Sequence, residues 1–237
     1  MNAIYRFLHN LTRPAPLEEF SDYDDYWKTR QSHGSTPLFQ RFRYIAERIP
    51  DNSTVLDIGC GDGAFLKYLK TTKPSCRLLG ADVSSSAVDS LRNEGIDCTL
   101  IKHDLPLRSQ IKDQFEYVVL MEVIEHVQDS ERLVQDAASV ARKRLFITIP
   151  NVGFLTHRVR LALFGRFPIT SIYHHMKEHI RFWTVRDFRE WAAHLDLNIA
   201  IESPQLNRTD SPFSVYLKTL WPALFAPGMI YGIDIKS

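Results

Sequence analysis

Short apolar runs alternate with amphipathic stretches along most of the chain from residue 54 onward. The apolar runs have the length and the flanking residues of buried strands, and they lie at 54–58, 77–81, 98–101, 117–120 and 145–149. Between them apolar residues recur at helical spacing, which predicts helices over 64–71, 85–94 and 130–142. Strands that alternate with helices are typical of βαβ units, so we predict an α/β fold with a parallel sheet.

The regular alternation stops at Pro150 for about thirty residues. A further helix is predicted from Thr184, because Thr184 and Asp187 have the spacing of a capping box. Two more strands are predicted at 198–202 and 229–236.

These segments predict one large domain with an appendage. We expect an N-terminal helical cap over residues 1–50 and an α/β domain over 51–237, with an insertion at about 151–180.

Composition excludes several classes of protein. The chain has 237 residues, of which 44% are hydrophobic and 24% charged, as in an ordinary globular protein and unlike a disordered or collagen-like one. Lys and Arg number 29 against 28 Asp and Glu, so no overall field attracts nucleic acid, and we expect no nucleic-acid partner. Three cysteines are too few for a disulfide scaffold, which favours the reducing cytoplasm.

We expect neither a signal peptide nor a transmembrane helix. Arg6 and His9 interrupt the apolar residues at the N-terminus. The longest uncharged stretch, residues 219–233, is shorter than the roughly 20 residues that span a bilayer. The prediction is therefore a cytoplasmic protein.

A glycine-rich turn, VLDIGCGDG at residues 55–63, follows the first strand. Gly59, Gly61 and Ala64 fit the dinucleotide-binding pattern G-x-G-x-x-G/A loosely, with Asp82 about twenty residues further on. A dinucleotide-dependent dehydrogenase and a glycine turn without a ligand are therefore alternatives to consider.

Three acidic residues favour a different nucleotide-like ligand. Asp57, just before the glycine turn, would repel a pyrophosphate but suits the ammonium group of S-adenosylmethionine. Asp82 can accept both ribose hydroxyls, and Asp104 lies where an adenine amine can donate to it. Acids after three successive strands match one nucleoside bound at the carboxyl ends of the sheet.

With these residues the sequence resembles the class I S-adenosylmethionine-dependent methyltransferases over about residues 50–204. The resemblance implies a Rossmann-like, seven-stranded, mostly parallel sheet with an antiparallel last strand and helices on both faces. It also implies a cofactor site made of Asp57, Gly59, Cys60, Gly61, Gly63, Asp82, Val83, Asp104, Leu105 and Met121.

A Glu-x-x-Glu-His segment continues from the fourth predicted strand. If residues 122–126 are helical, Glu122, Glu125 and His126 share one face beside the cofactor pocket. His179, in a segment expected to return over the site, is a candidate fourth ligand. Carboxylate oxygens with histidine nitrogens suit Mg²⁺, Mn²⁺ or a similar divalent metal.

This four-residue set resembles the metal site of small-RNA 3′-end methyltransferases and of ubiquinone-biosynthesis O-methyltransferases. The resemblance implies an ion that chelates neighbouring hydroxyls and favours the attacking alkoxide. Two alternatives stay open: His126 or His179 acts as a general base without metal, together with Glu125, or the segment is structural.

The segment at 150–170 resembles a stretch of the MetW-type methyltransferase-like proteins, which are linked to methionine biosynthesis through a partner enzyme. This implies a second hypothesis, an accessory protein that binds cofactor and a protein partner with little catalysis. In the methyltransferase fold the insertion overhangs the acceptor pocket and forms a lid. Tyr173, His174, His175 and Met176 are candidates for lining that pocket.

Residues 154–167 interleave arginines with apolar residues, which predicts a basic amphipathic helix. Its apolar face covers the pocket, with the arginines solvated, or rests on a membrane surface. The arginines could equally bind an anionic substrate.

The leading hypothesis is O-methylation of a hydroxyl on a small-molecule, sugar or glycolipid acceptor, with nitrogen and carbon acceptors left open.

Overall fold

The structure is a computed structural model, and it describes residues 11–12, 40–168 and 179–235. Most of the predicted N-terminal cap lies outside the described residues. So do the predicted pocket residues Tyr173, His174, His175 and Met176.

A seven-stranded sheet forms the centre of the fold, in the order β3-β2-β1-β4-β5-β7-β6. The strands are β1 Thr54–Ile58, β2 Arg77–Asp82, β3 Cys98–Leu100, β4 Phe115–Met121, β5 Ala141–Pro150, β6 Asn198–Pro204 and β7 Gly228–Asp234. Strands β1 to β5 pair in parallel, whereas β7 runs antiparallel to both of its neighbours. This confirms the predicted sheet and its antiparallel last strand.

In the described part of the chain, helices precede the first strand and connect the strands of the sheet. They are α1 Gln40–Ala46, α2 Ala64–Thr72, α3 Ser85–Asn93, α4 Leu107–Gln110, α5 Ser130–Val140, α6 Leu155–Phe164, α7 Val185–His194, α8 Pro212–Leu220 and α9 Pro222–Phe225. The capping box predicted at Thr184 is present, since the Thr184 and Asp187 side chains each accept a backbone N–H of the other residue. None of the described helices is long and apolar enough to cross a bilayer.

The predicted end of the helix that precedes β5 is wrong. We expected that helix to reach residue 142, but α5 ends at Val140 and β5 begins at Ala141. Ala141 pairs with Phe115 of β4 and Arg144 with Asp234 of β7, so partners on both sides extend the strand backward. Pairing with distant strands overrides the local helical pattern here.

Helix α6 forms as predicted, but its polarity does not match the expectation of an apolar inner face with solvated arginines. Arg160 is buried, and its guanidinium donates to the carbonyls of Leu11 at 3.0 Å and Phe167 at 2.8 Å. Leu161 and Leu163 are exposed instead. Carbonyl acceptors from two other segments satisfy the arginine, which removes the penalty for burying it.

Apolar side chains cover both faces of the sheet and leave its carboxyl edge to polar groups. One cluster packs α5 and α7 against one face, with Phe188 stacked on Tyr231 at 4.0 Å between ring centroids. A second cluster packs α1 and α2 against the other face. Because β1 pairs with both β2 and β4, the loops that follow these three strands lie side by side.

Candidate functional site

The loop between β1 and α2 adopts a backbone that requires glycine. Gly59, Gly61 and Gly63 have φ values of 70°, 54° and 68°, in the left-handed region. A Cβ atom on Gly63 would lie 2.0 Å from Cδ2 of Leu91, and one on Gly59 would lie 2.6 Å from Cγ2 of Val123. Conformation and space therefore both select glycine in this loop.

Asp82, at the end of β2, fixes this loop over the sheet. One of its carboxylate oxygens accepts the Gly61 N–H at 2.8 Å, and the other accepts the Ser84 N–H at 2.9 Å. The Gly59 and Cys60 N–H groups both point to the carbonyl of Ala81, at 2.7 and 3.3 Å. The loop thus presents its backbone and the Asp82 carboxylate at one edge of the sheet.

Asp57 is buried near the end of β1. Burial raises the pKa of its carboxyl well above the usual range, and the nearby charge of Asp82 raises it further. A carboxylate in such a place is stabilised by a proton or by a cation that binds next to it.

The other residues predicted to bind the cofactor lie at the ends of β2, β3 and β4. Val83 follows β2 directly and is exposed, as are Asp104 and Leu105 in the loop after β3. Met121 ends β4 and is half-buried. Exposed apolar side chains beside polar acceptors suit a flat heterocycle with amino groups.

A second group of polar side chains comes together after β4. Glu125, His126 and His179 each offer one ligand atom, and these atoms lie within 4.8 Å of one another. The rings of His126 and His179 meet edge to face, with centroids 4.6 Å apart. The structure thus brings together three of the four residues that we predicted as a metal site.

Backbone hydrogen bonds hold these three residues in place. Glu125 and His126 belong to a 3₁₀ turn, Ile124–His126. The carbonyl of Glu125 accepts two N–H groups, from Ile180 at 2.9 Å and from Arg181 at 3.1 Å. These bonds attach the segment that carries His179 to the end of β4.

The Glu125 carboxylate is buried without a hydrogen-bond donor among the described residues. The residue is 1% exposed, and neither carboxylate oxygen has a hydrogen-bond partner among the described residues. Burial raises the pKa of Glu125 well above its usual range, and the charge of Glu122 adds to the shift, whereas Arg41 opposes it. Such a group needs either a proton or a cation.

The prediction that Glu122 shares a helical face with Glu125 is wrong. Glu122 has a φ of 55°, and its N–H still donates to the carbonyl of Thr148 at 3.1 Å, so β4 pairs with β5 up to this point. Its carboxylate accepts from the Thr148 hydroxyl at 2.9 Å and from the Gln205 amide at 2.8 Å. Glu122 is therefore not one of the three residues whose ligand atoms converge.

Two residues that join Glu122 in a hydrogen-bond network, Gln205 and Arg41, were not indicated by any pattern in the sequence. Gln205 follows β6 and accepts from the guanidinium of Arg41 in α1 at 3.3 Å, while it donates to Glu122. Both residues lie far from Glu122 along the chain, and only the pairing of β7 with β5 and β6 brings Gln205 beside β5.

Comparisons with known proteins support a family assignment. The family model of the methionine biosynthesis protein MetW matches residues 40–233. A bifunctional methionine biosynthesis protein MetXA/MetW of Rhodopirellula baltica is 31% identical over 168 residues, which are 65% of this chain and 26% of that protein. A ubiquinone biosynthesis O-methyltransferase of Coxiella burnetii is 28% identical over 150 residues, which are 58% of this chain and 62% of that protein. The chain thus spans less than two thirds of either relative.

Solved structures share the fold at low sequence identity. A chain in the complex of the Haloferax volcanii Trm112 methyltransferase activator with a putative methyltransferase has a TM-score of 0.63 and 15% identity, and the match covers 93% of this chain and 100% of that one. Magnesium protoporphyrin IX methyltransferase from Synechocystis, solved with bound S-adenosylhomocysteine (SAH), has a TM-score of 0.57 and 13% identity over 99% of this chain and 95% of that one. The chain has the Rossmann-like methyltransferase fold.

The burial of Asp57 predicts a dependence of stability on pH. Because the folded-state pKa is raised, folding takes up a proton, and wild-type stability falls as pH rises from the unfolded value of about 4. We expect Asp57→Asn to remove this contribution and to raise the free energy of unfolding at pH 8 by at least about 1 kcal/mol. Urea unfolding at several pH values measures it.

The exposed Asp89 on α3 gives the matched control, since Asp89→Asn removes an acid without removing a buried charge. If the free energy of unfolding depends on pH in Asp57→Asn as it does in the wild type, burial does not destabilise the Asp57 carboxylate.

Proposed function

This chain belongs to the MetW family, as the resemblance at 150–170 predicted, and from that premise we propose that it is an S-adenosylmethionine-dependent methyltransferase that acts on oxygen. The observation that carries the proposal is the convergence of Glu125, His126 and His179 beside the acid-lined glycine loop. Fold and family alone support methyl transfer in general. The acid–base cluster supports a hydroxyl as the acceptor.

The cofactor proposed for the glycine loop is S-adenosylmethionine, which supplies an electrophilic methyl group on a sulfonium. Its ammonium group carries the positive charge proposed to lie beside Asp57. A cation there would stabilise the buried Asp57 carboxylate, whose pKa burial raises. Asp82 would accept the ribose hydroxyls and Asp104 the adenine amine, with Val83 and Leu105 against the ring. Bound SAH in a solved relative supports this choice.

Proximity in the sheet supports a role for the Glu/His cluster in the reaction. Asp57 pairs with Val119 and Ile58 with Leu120, so the end of β1 lies beside the end of β4. An acceptor between the two loops would lie next to the cofactor and to the imidazoles of His126 and His179. An imidazole there accepts the hydroxyl proton, and fixed orientation of acceptor and methyl group supplies several kcal/mol.

The three converging residues also fit a divalent metal. Both oxygens of Glu125 are buried without a hydrogen-bond partner among the described residues, and two imidazoles lie within reach. Glu125, His126 and His179 would hold the ion, whose Lewis acidity lowers the pKa of a coordinated hydroxyl. With Glu122 outside this set, the donors favour Mn²⁺ or another metal that accepts imidazole over Mg²⁺.

A hydroxylated small molecule, sugar or lipid-linked compound is the proposed acceptor. The name of the Coxiella burnetii relative, a ubiquinone biosynthesis O-methyltransferase, supports an oxygen acceptor. Exposed Leu161, Leu163 and Phe164 on α6 support contact with an apolar acceptor or with a membrane surface. A net charge of +1 gives no support to a nucleic-acid substrate.

Substitutions in the cluster test this function. We expect Glu125→Gln and His126→Ala to retain cofactor affinity and to lose methyl transfer by at least about 100-fold, in the range of general acid–base catalysis. The assay follows labelled methyl transfer from S-adenosylmethionine into extract components, with and without a chelator and added Mn²⁺.

His194→Ala is the control, because His194 is an exposed histidine on α7. Wild-type rates in both cluster variants would overturn the role of the cluster. A rate that exhaustive chelation leaves unchanged would overturn the metal, and the histidines would then act as general bases.

A second candidate function is that of an accessory protein with little catalysis. The Rhodopirellula baltica relative is named as a bifunctional MetXA/MetW protein, and one solved relative lies in a complex with a methyltransferase activator. Both names favour a protein partner, and the exposed apolar residues on α6 supply a surface for one.

The accessory function predicts a stoichiometric complex with a MetXA-type protein from the same source, measured by size-exclusion chromatography with light scattering. Because binding would not depend on the Glu/His cluster, the Glu125→Gln variant should form the same complex. Separate elution at micromolar concentrations, together with methyl transfer by the isolated chain, would contradict this candidate.

A further inference from the structure

Two thiols meet where the glycine loop of the proposed cofactor site packs on the sheet. The sulfurs of Cys60 and Cys98 lie 3.6 Å apart, and the two residues are 8% and 4% exposed. Cys60 belongs to the glycine loop after β1, whereas Cys98 begins β3, which is separated from β1 by β2. The pair therefore connects the loop to a strand of the sheet.

A glycine in β2 makes this contact possible. Gly80 pairs with Cys98 in the sheet, and a Cβ atom on it would lie 2.9 Å from the Cys60 sulfur and 3.0 Å from the Cys98 sulfur. Any larger residue at this position would push the sulfurs apart. The third cysteine, Cys76, donates to the carbonyl of Pro50 and takes no part in the pair.

The surroundings of the two sulfurs favour a thiol beside a thiolate. The hydrogen bond with the Cys60 thiol lowers the pKa of Cys98, against the opposing effects of burial and of the Asp82 charge, and the charge of Arg92 also lowers it. The same bond and burial raise the pKa of Cys60. Cys98 is therefore the sulfur that ionises first, and the thiolate is the reactive form.

We propose that Cys60 and Cys98 form an oxidisable pair whose disulfide displaces the glycine loop and weakens cofactor binding. The inference rests on the proposed function, because it takes the glycine loop as the site of S-adenosylmethionine. It assigns to this chain a modification site that responds to hydroperoxides.

The chemistry balances with hydrogen peroxide as the oxidant. The Cys98 thiolate attacks one peroxide oxygen, the O–O bond breaks, and the leaving hydroxide takes up a proton to become water. The sulfur of Cys60, having lost its proton, then attacks the resulting sulfenic acid, the S–O bond breaks, and a second water leaves. Two thiols thus lose two electrons and two protons, and one peroxide becomes two waters.

Burial selects a small oxidant. With both residues at most 8% exposed, a peroxide can reach the sulfurs more readily than a bulky disulfide such as oxidised glutathione. We therefore expect the pair to respond to peroxide and to resist disulfide exchange in the folded protein.

Closing the disulfide moves the loop, because a disulfide of about 2 Å is shorter than the present contact of 3.6 Å. Cys98 is held in the sheet by β2, whereas Cys60 lies between two glycines with left-handed backbone. The loop is therefore the side that shifts. Moving Cys60 displaces the Gly61 N–H from the Asp82 carboxylate, which it now contacts at 2.8 Å.

The test treats the full chain with hydrogen peroxide, alkylates the remaining thiols and identifies linked peptides by mass spectrometry. We expect a Cys60–Cys98 peptide that has lost two hydrogens, with Cys76 alkylated. Calorimetric titration with S-adenosylmethionine should show at least tenfold weaker binding after oxidation and full recovery after dithiothreitol. The recovery in the wild type excludes irreversible unfolding, and an unchanged far-UV circular dichroism spectrum of the oxidised protein excludes reversible unfolding.

Two variants complete the test. Cys98→Ser should keep its cofactor affinity in peroxide, and Cys76→Ser should respond like the wild type. Absence of the linked peptide, or a linked peptide with unchanged cofactor affinity, would overturn this inference while the reduced protein still binds. Failure of the reduced protein to bind S-adenosylmethionine would instead count against the proposed function itself.

Discussion

Two buried carboxylates, those of Asp57 and Glu125, govern the chemistry at the carboxyl edge of the sheet. Burial raises the pKa of both, so each is stabilised by a proton or by a neighbouring cation. The sheet order places β1 next to β4, so Asp57 on β1 lies beside the strand whose following turn carries Glu125. The proposed cationic cofactor at Asp57 and the proposed acid–base or metal function at Glu125 both rest on this constraint.

The parts of the fold that local patterns encode were predictable from the sequence. The alternation of strands and helices fixed the class, and the glycine turn marked the end of β1, because left-handed backbone needs glycine whatever surrounds it. The sequence also singled out Glu125, His126 and His179, which the structure brings together, since each follows or precedes a recognisable element. Their convergence depends on hydrogen bonds to the Glu125 carbonyl, which no sequence pattern records.

The predictions failed where distant contacts decide the local structure. Glu122 was expected in a helix, but its N–H completes the ladder with Thr148, so the chain cannot turn before it. Arg160 was expected in solvent, but the carbonyl of Leu11 gives it a buried partner. Gln205 was missed because it reaches Glu122 only through the pairing of β7 with β5 and β6.

The central claim is that the buried Asp57 carboxylate receives a cationic cofactor, and calorimetry of S-adenosylmethionine binding in buffers of different ionisation enthalpy tests it most directly. We predict saturable binding at one site, with proton release at mildly acidic pH, because the cation displaces the proton that burial retains on Asp57. Proton release should disappear in Asp57→Asn, with affinity at least tenfold lower. Absence of binding, or equal affinity and proton release in the variant, would contradict the account.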